Sequence, residues 1–378
     1  MYRTLALLLL LPAIALAQPK HVFKVGKHDG GELKIVDGLP VCIVAGTPTQ
    51  IGQQLGVLVG KNSPNPTPAL QEFLAAVKLK EMFPALKKVA GNLKANFPEA
   101  YTTEMAEFAK GGEYELDMLY FVNMVYDLSS SMGCATLVVE NQRSRTGSPI
   151  FGRNFDWVPS KGLHEQTLIL VMKPEKKHSF ASITFAPITG VISGMNDAGL
   201  SLTINEIHLS QSKDKAKFNW KGTPMLMLFR QILEDCATVA DAEKLLKDAK
   251  PMTTASLTIC DTTGGQVFEI SPKSVEVRKP TNGITLCTNQ FLSDKLDGDT
   301  RPCARLEKLL KTQDGSAKLD ADDVFAQLHE VNQQNRTLQT MVFDPAKKVI
   351  HLKLSTGKET ASAAKAIKLE LAPLFGGK

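Results

Sequence analysis

The pattern of apolar residues changes at Gly133-Cys134-Ala135-Thr136-Leu137-Val138-Val139. Before this stretch, from about Thr49 to Met132, apolar residues recur three and four positions apart, which is typical of amphipathic helices. From Cys134 onwards, short apolar runs alternate with turn residues, which is typical of strands. The sequence therefore predicts a helix-rich region followed by a sheet-rich region, with the change at Gly133 and Cys134.

The sheet-rich region is predicted to form stacked antiparallel sheets. Residues 135–139 and 166–171 are strand-like runs, and turn sequences such as 145–149 separate runs of this kind. Two helical blocks, 223–246 and about 302–331, have the amphipathic spacing that covers a sheet face. The expected fold class is α+β, with the sheets inside and the helices outside.

The N-terminal residues predict export. Arg3 precedes an apolar run from Leu5 to Leu16, and Ala17 completes a small-x-small pattern that suits signal peptidase. The alternative, a membrane anchor, needs about 20 apolar residues, which is more than this run supplies. We therefore expect residues 1–17 to be a signal peptide cleaved after Ala17. The mature protein is expected to be secreted or periplasmic, without a membrane span.

Composition argues against several partners and cofactors. The chain has 378 residues, 43% of them apolar, and its formal net charge of +5 is spread along the sequence, so a nucleic-acid partner is not expected. The cysteines form no CxxC pair and lack zinc-ligand spacing to a histidine, so neither a metal nor another cofactor is expected. Their scattered positions do not indicate a disulfide framework: Cys42, Cys134, Cys236, Cys260, Cys287 and Cys303.

Cys134 is the candidate nucleophile because of its position. A cysteine freed at the start of a strand by backbone cleavage carries an α-amine, whose usual pKa of about 7.7 to 8.0 lets it accept the thiol proton near neutral pH. Gly133 suits the position before such a cut, because a residue without a Cβ tolerates a strained backbone. The opposing interpretation of the same pair is a small buried thiol at the start of a strand.

Three later segments favour the first interpretation. They resemble, in order, motifs of the choloylglycine hydrolase and penicillin acyltransferase-like families of N-terminal-nucleophile (Ntn) hydrolases: Gly152-Arg153-Asn154-Phe155-Asp156-Trp157, the stretch from Ser193 to Asn205 that begins Ser193-Gly194-Met195-Asn196, and Thr288-Asn289-Gln290-Phe291. Residues 46–52 and 104–109 are similar to the penicillin acyltransferase-like branch. The resemblance thus covers nearly the whole mature chain.

The resemblance implies a fold and a processing step. The fold would be an αββα four-layer sandwich of the Ntn hydrolase type, preceded by a helical N-terminal region. The precursor would cleave itself between Gly133 and Cys134. Residues 18–133 would then remain as a helix-rich subunit beside the catalytic region, 134–378.

The resemblance also implies roles for individual side chains. The carboxylate of Asp156 would orient the freed amine, and the charge of Arg153 would favour the thiolate of Cys134. The alternative interpretations are an ordinary turn carboxylate and a surface cation.

Two asparagines and one arginine complete the implied site. The side chain of Asn289 and the backbone N–H of Asn205 would form the oxyanion hole, although asparagine is also common at turns and strand ends. Arg336, within Asn335-Arg336-Thr337, is matched to a further arginine of the family. The same three residues also fit a glycosylation sequon.

The predicted function is hydrolysis of a linear amide bond in a small N-acyl substrate, through an acyl-Cys134 intermediate. An amine would replace water as acyl acceptor in an acyltransferase. The sequence also allows a papain-like hydrolase, in which Cys134 pairs with His164 or His208, and a catalytically silent binding protein with the same fold. The substrate, the acyl acceptor and the oligomeric state stay open at this point.

Overall fold

The computed structural model describes residues 21–63, 65–129, 131–158, 162–207, 218–296 and 302–376. The predicted signal peptide, residues 1–17, lies outside this part of the chain. None of the helices described is both long and apolar enough to cross a membrane.

The larger sheet has ten strands, in the spatial order β1-β2-β3-β6-β7-β8-β9-β10-β11-β12, and adjacent strands are antiparallel except for the parallel pair β3 and β6. Its strands are β1 (Gly26–His28), β2 (Gly31–Val36), β3 (Leu39–Gly46), β6 (Thr167–Pro174), β7 (Phe180–Phe185), β8 (Ser193–Asn196), β9 (Ser201–Glu206), β10 (Ala255–Cys260), β11 (Gly265–Ile270) and β12 (Val275–Arg278).

The smaller sheet is antiparallel and has six strands in the order β13-β4-β5-β14-β15-β16. Its strands are β4 (Gly133–Val139), β5 (Ile150–Asp156), β13 (Ile284–Cys287), β14 (Thr337–Asp344), β15 (Val349–Leu354) and β16 (Ile367–Glu370).

The α-helices fall into an N-terminal group and a group that covers the sheets. The first group is α1 (Pro48–Leu55), α2 (Thr67–Ala76), α3 (Phe83–Asn92), α4 (Glu99–Gly112), α5 (Leu116–Asn123) and α6 (Val125–Leu128). The second is α7 (Met225–Asp235), α8 (Val239–Asp248), α9 (Ala304–Asp314), α10 (Ala321–Glu330) and α11 (Ala372–Phe375). Reciprocal capping boxes begin α1, α8 and α10, because a Thr or Asp side chain accepts a backbone N–H that the helix leaves unpaired.

Three apolar clusters define the layers. One contains side chains from both sheets, such as Val41, Ile169, Val138 and Phe151, and therefore lies between them. A second packs α9 and α10 on the outer face of the smaller sheet, and the largest packs α7, α8 and the N-terminal helices on the outer face of the larger sheet. This layering confirms the predicted αββα sandwich.

The N-terminal region contains strands that the sequence analysis does not predict. Residues 26–46 form three strands, and β3 pairs with β6 from Val41↔Ile169 to Gly46↔Pro174. The helical periodicity begins only at Thr49, so the apolar run of β3 lies outside the pattern on which the prediction rests. The larger sheet consequently contains strands from both sides of the Gly133–Cys134 bond.

Candidate active site

The sequence-predicted residues meet at one end of four adjacent strands. Cys134 lies in β4, and Gly133 pairs with Asp156 at the end of β5. Asp156 in turn pairs with Thr337 at the start of β14. Asn289 follows two residues after β13, the other neighbour of β4. Sheet pairing therefore brings together residues that lie as much as two hundred positions apart in the chain.

Cys134 and Arg153 share the face of the smaller sheet that is turned toward the larger one. Arg153 is the diagonal neighbour of Cys134, since its direct partner is Thr136, and a long side chain spans that separation. Arg153 Nη2 donates to Cys134 Sγ at 3.1 Å. Arg153 Nη1 donates to the Ile192 carbonyl at 2.8 Å and to Ser193 Oγ at 2.5 Å. Both Cys134 and Arg153 are completely buried, and Arg153 Nε has no hydrogen-bond partner among the described residues.

The surroundings of the Cys134 thiol shift its pKa in opposing directions. Burial raises its pKa above the usual value for cysteine, and the nearby charge of Arg153 lowers the pKa without cancelling that effect. Arg153 thus acts in the direction that the sequence predicts, but desolvation dominates while Cys134 remains inside a continuous chain.

Asp156 lies on the opposite side of β5, where side chains face α9 and α10. Its carboxylate accepts hydrogen bonds from Thr337 Oγ1 at 2.5 Å and Gln333 Nε2 at 2.7 Å, and Arg305 Nη1 lies 3.6 Å away. Burial raises the pKa of Asp156, and these three partners oppose that shift. The carboxylate is held by several donors directly across from the peptide that precedes Cys134.

Gly133 lies close to two side chains. A Cβ at this position would lie 2.3 Å from Gln333 Nε2 and 3.2 Å from Asp156 Cβ. Gly133 is not among the residues with positive φ, so the backbone strain expected from the sequence is not what selects glycine here. The space is taken by the side chain that holds Asp156.

The side chain of Asn289 makes three hydrogen bonds to described residues. Its Oδ1 accepts from the backbone N–H of Cys134 at 2.8 Å and from Arg305 Nη2 at 2.8 Å, and its Nδ2 donates to the Glu206 carbonyl at 2.8 Å. Asn205 lies beside Glu206 in β9, and its Nδ2 donates to the Cys287 carbonyl at 3.4 Å. Asn289 therefore holds the amide of Cys134, and Asn205 reaches from β9 of the larger sheet to the end of β13, which neighbours β4.

The structure adds Arg305, Glu206 and Gln333 to the residues expected from the sequence. Arg305, in the first turn of α9, donates to the Cys134 carbonyl at 2.6 Å as well as to Asn289. The carboxylate of Glu206 accepts the backbone N–H groups of Met132 at 2.7 Å and Ser131 at 3.1 Å. Arg305 belongs to no recognisable motif, and only the docking of α9 over the sheet end reveals it. Glu206 adjoins Asn205, which is the one sequence signal for it.

The remaining candidates lie in different surroundings. Arg336 is near the site, where its Nη2 donates to the Ser131 carbonyl at 3.1 Å. His164 packs against Gly357, and the charged groups with the largest effect on the Cys134 thiol are Arg153, Asp156 and Arg305. His208 lies outside the described residues.

Residues 142–359 match the family model for acyl-coenzyme A:6-aminopenicillanic acid acyl-transferase. The chain belongs to this family. The match begins eight residues after Cys134 and includes the motifs that contain Arg153, Asp156, Asn205 and Asn289. Membership in the acyl-transferase family confirms the resemblance to the penicillin acyltransferase-like branch of Ntn hydrolases.

Other similar proteins are more distant. An uncharacterised protein of Archaeoglobus fulgidus is 24% identical over 314 residues, which cover 73% of this chain and 51% of the relative. Human acid ceramidase is 27% identical over 180 residues, covering 42% of this chain and 43% of the enzyme. The matches thus span about half the length of these relatives.

Two solved structures are also similar. A Caenorhabditis elegans N-acylethanolamine-hydrolyzing acid amidase ortholog is 22% identical, with a TM-score of 0.44 over 56% of this chain and 93% of that chain. A conjugated bile acid hydrolase from Clostridium perfringens is 17% identical, with a TM-score of 0.48 over 65% of this chain and 95% of that chain.

Proposed function

We propose that this chain is an exported, self-processing cysteine amidase that hydrolyses a linear C–N amide bond of a small N-acyl substrate. The observation that carries the proposal is the arrangement around one peptide bond: the Cys134 thiol contacts Arg153, and the Cys134 N–H is held by Asn289. Family membership supports it, as do the names of two relatives, acid ceramidase and N-acylethanolamine-hydrolyzing acid amidase.

The first reaction is cleavage of the chain itself. The thiol sulfur of Cys134 attacks the Gly133 carbonyl carbon, the C–N bond breaks, and the thiol proton passes to the departing nitrogen. Water then hydrolyses the thioester, which leaves a carboxylate on Gly133 and a free α-amine on Cys134. Glu206 and Arg336 fix the segment that presents this carbonyl, because they bind the N–H and C=O groups of residues 131 and 132.

The second reaction is turnover of substrate. The free α-amine of Cys134 accepts the thiol proton, and Arg153 stabilises the thiolate that attacks the substrate carbonyl. The amine of the substrate takes up a proton and leaves, and water releases the acyl group from Cys134.

Donors for the developing oxyanion are available on Asn289 and Asn205. The Nδ2 group of Asn289 has two hydrogens, and the Glu206 carbonyl accepts only one of them. The second hydrogen and the backbone N–H of Asn205 are assigned to the oxyanion. Asp156 is assigned the orientation of the α-amine, since it lies directly across from Gly133.

The N-terminal fragment is expected to stay bound after cleavage. The pairing of β3 with β6 joins residues 41–46 to the catalytic region. Glu104 and Arg230 form a buried ion pair across the same boundary. Residues 18–133 would therefore act as a subunit of the mature enzyme.

A second candidate function is acyl transfer to an amine. The family description favours it, because it names an acyl-transferase. Both functions share the acyl-Cys134 intermediate and differ only in the second nucleophile.

The decisive experiment replaces Cys134 and compares it with a matched control. Cys134→Ala is expected to remain a single chain and to release no amine from a panel of N-acyl compounds. Cys287→Ala removes an equally buried thiol from the neighbouring strand and is expected to be cleaved and active. N-terminal sequencing and mass spectrometry of released amines give the two readouts. A Cys134→Ala protein that matured and turned over substrate would refute the proposal.

A further inference from the structure

The layer between the two sheets changes from apolar to polar close to Cys134. Side chains such as Val138 and Phe151 form the apolar part. The polar part consists of buried side chains that project from both sheets: Arg153 and Thr136 from the smaller sheet, and Ser193, Thr203, Asn205 and Thr258 from the larger one. A buried polar group is costly unless it is hydrogen-bonded, so each of these groups is expected to have a partner.

Strand register places Thr203 between two hydrogen bonds that join the sheets. Arg153 and Thr136 are direct partners in the smaller sheet. In the larger sheet, Thr203 has Ser193 as its partner on one side and Thr258 on the other. Arg153 Nη1 donates to Ser193 Oγ at 2.5 Å, and the hydroxyls of Thr136 and Thr258 are 3.0 Å apart. Thr203 therefore faces the gap between Arg153 and Thr136.

Three polar atoms in this part of the layer lack a hydrogen-bond partner among the described residues, namely Arg153 Nε, Thr203 Oγ1 and Asn205 Oδ1. Asn205 lies on the same face of β9 as Thr203, two positions along the strand. The three atoms are a donor, a hydroxyl that can donate or accept, and an acceptor. A buried water typically makes about three hydrogen bonds to groups of this kind.

We infer that a water molecule is bound between the sheets at this point, where it accepts a hydrogen bond from Arg153 Nε and bonds to Thr203 Oγ1 and Asn205 Oδ1. Thr203 is then a positioning residue, because it acts on Cys134 only through the water and Arg153. The role of the water in turnover rests on the proposed amidase function, but its presence does not.

The water would fix the direction of the Arg153 guanidinium. This group is planar, so contacts on two of its nitrogens determine where the third points. The Ile192 carbonyl and Ser193 Oγ hold Nη1, and the water would hold Nε. Nη2 is thereby directed at Cys134 Sγ, 3.1 Å away. Without the water, the guanidinium is held on one side and can tilt away from the thiol.

A high-resolution crystal structure of the wild-type protein tests the water without using its activity. We expect a solvent peak within about 3.2 Å of both Arg153 Nε and Thr203 Oγ1. A direct hydrogen bond from Arg153 Nε to Thr203 Oγ1, or a dry layer at this point, would overturn the inference. This test does not depend on whether any variant folds or matures.

Substitutions at Thr203 separate its hydroxyl from its packing. Thr203→Val removes the hydroxyl but keeps nearly the same shape, so kcat per cleaved molecule is expected to fall about 10- to 100-fold while KM changes less than about twofold. Thr203→Ser keeps the hydroxyl and is expected to stay within about threefold of the wild-type kcat. The matched control is Thr258→Val, which removes a similarly buried hydroxyl from the neighbouring strand. That hydroxyl pairs with Thr136 instead of Arg153, so the control is expected to lose stability but not turnover.

The alkylation rate of Cys134 gives a second readout that needs no substrate. Iodoacetamide reacts with the thiolate, which Arg153 favours, so the cleaved Thr203→Val protein is expected to be alkylated about tenfold more slowly at Cys134. Mass spectrometry of the Cys134 peptide measures this rate. Wild-type turnover and alkylation in Thr203→Val would overturn the inference, since the water would then have no effect on Arg153. A wild-type protein that contains the water but releases no amine from a wider N-acyl panel would instead overturn the proposed function.

Discussion

Two buried arginines in this molecule have opposite surroundings. Arg230, in α7, donates through Nη1 and Nη2 to both oxygens of Glu104, at 2.7 and 2.6 Å, and through Nε to Glu234 at 2.8 Å. Tyr101 lies against its guanidinium, 4.2 Å from the ring centroid, and also donates to Glu234. Every nitrogen of the Arg230 guanidinium thus faces a carboxylate.

In the part of the chain that the structure describes, Arg153 has no carboxylate among its hydrogen-bond partners. It binds a thiol, a hydroxyl and a main-chain carbonyl there, and no described residue accepts from its Nε. A buried cation in these surroundings is stabilised when a negative charge appears on the thiol. The comparison shows that burial of charge does not by itself mark an active site, and that a missing anionic partner distinguishes Arg153 from Arg230.

The pKa shifts in the Arg230 cluster and in the Arg153 cluster differ in the same way. Burial alone would lower the pKa of Arg230, but Glu104 and Glu234 outweigh it and raise the pKa, so this side chain stays charged. Burial raises the pKa of Cys134 more than Arg153 lowers it. The first cluster is a closed ion network that joins residues on either side of the Gly133–Cys134 bond, and the second lacks an anionic partner among the described residues.

The largest expected effect comes from breaking the closed network. Arg230→Met leaves two buried carboxylates without their cation and is expected to lower the free energy of unfolding by about 3–5 kcal/mol. Urea denaturation measures the loss, and size-exclusion chromatography shows whether the fragments separate.

The matched control removes the whole network. Arg230→Met combined with Glu104→Leu and Glu234→Leu leaves no unpaired charge, so much of the stability should return. An Arg230→Met protein as stable as the wild type would show that the network does not hold the fragments together.

Arg153→Lys tests the cluster of Arg153 and Cys134. Lysine keeps the charge but loses the fork that contacts Cys134, Ser193 and the Ile192 carbonyl together, so kcat per cleaved molecule is expected to fall about 100- to 1000-fold. The stability loss should be smaller than for Arg230→Met. A variant with normal turnover and a large fall in melting temperature would assign Arg153 to structure instead.

The smallest expected effect concerns a third kind of buried charge. Burial raises the pKa of Asp127 well above its usual value. Its carboxylate accepts a hydrogen bond from the backbone N–H of Met225, and no cation among the described residues pairs with it. A raised folded pKa means that the native state retains a proton that the unfolded chain releases. The contribution of Asp127 to stability is therefore fully present below its unfolded pKa, near 3.8, and is lost as pH rises through its folded pKa.

Asp127→Asn makes this dependence measurable. The amide keeps an acceptor for the Met225 N–H but cannot ionise. We expect the melting temperature of the wild-type protein to fall on the order of 2–5 °C more than that of Asp127→Asn between about pH 5 and 8. Parallel pH profiles of the two proteins would show that Asp127 has no part in the dependence.

Local sequence patterns predicted a good part of this molecule. The change of periodicity at Gly133 placed β4. The amphipathic blocks placed α7 to α10 on the sheet faces. By contrast, β1 to β3 were missed, since short strands at the margin of a sheet depend on a partner far away in the chain, here β6.

The resemblance of their segments to family motifs identified Cys134, Arg153, Asp156 and the two asparagines as candidates, since a Gly-Cys pair or an asparagine at a strand end is by itself equally explained by packing or by a turn. Tertiary packing supplied Arg305 and Gln333, which reach the site from α9 and from the turn after α10. It also supplied the burial that raises the pKa of the Cys134 thiol. Desolvation and the approach of distant side chains depend on how the layers of the fold pack together. The pattern of residues along the chain does not encode the distances that this packing creates.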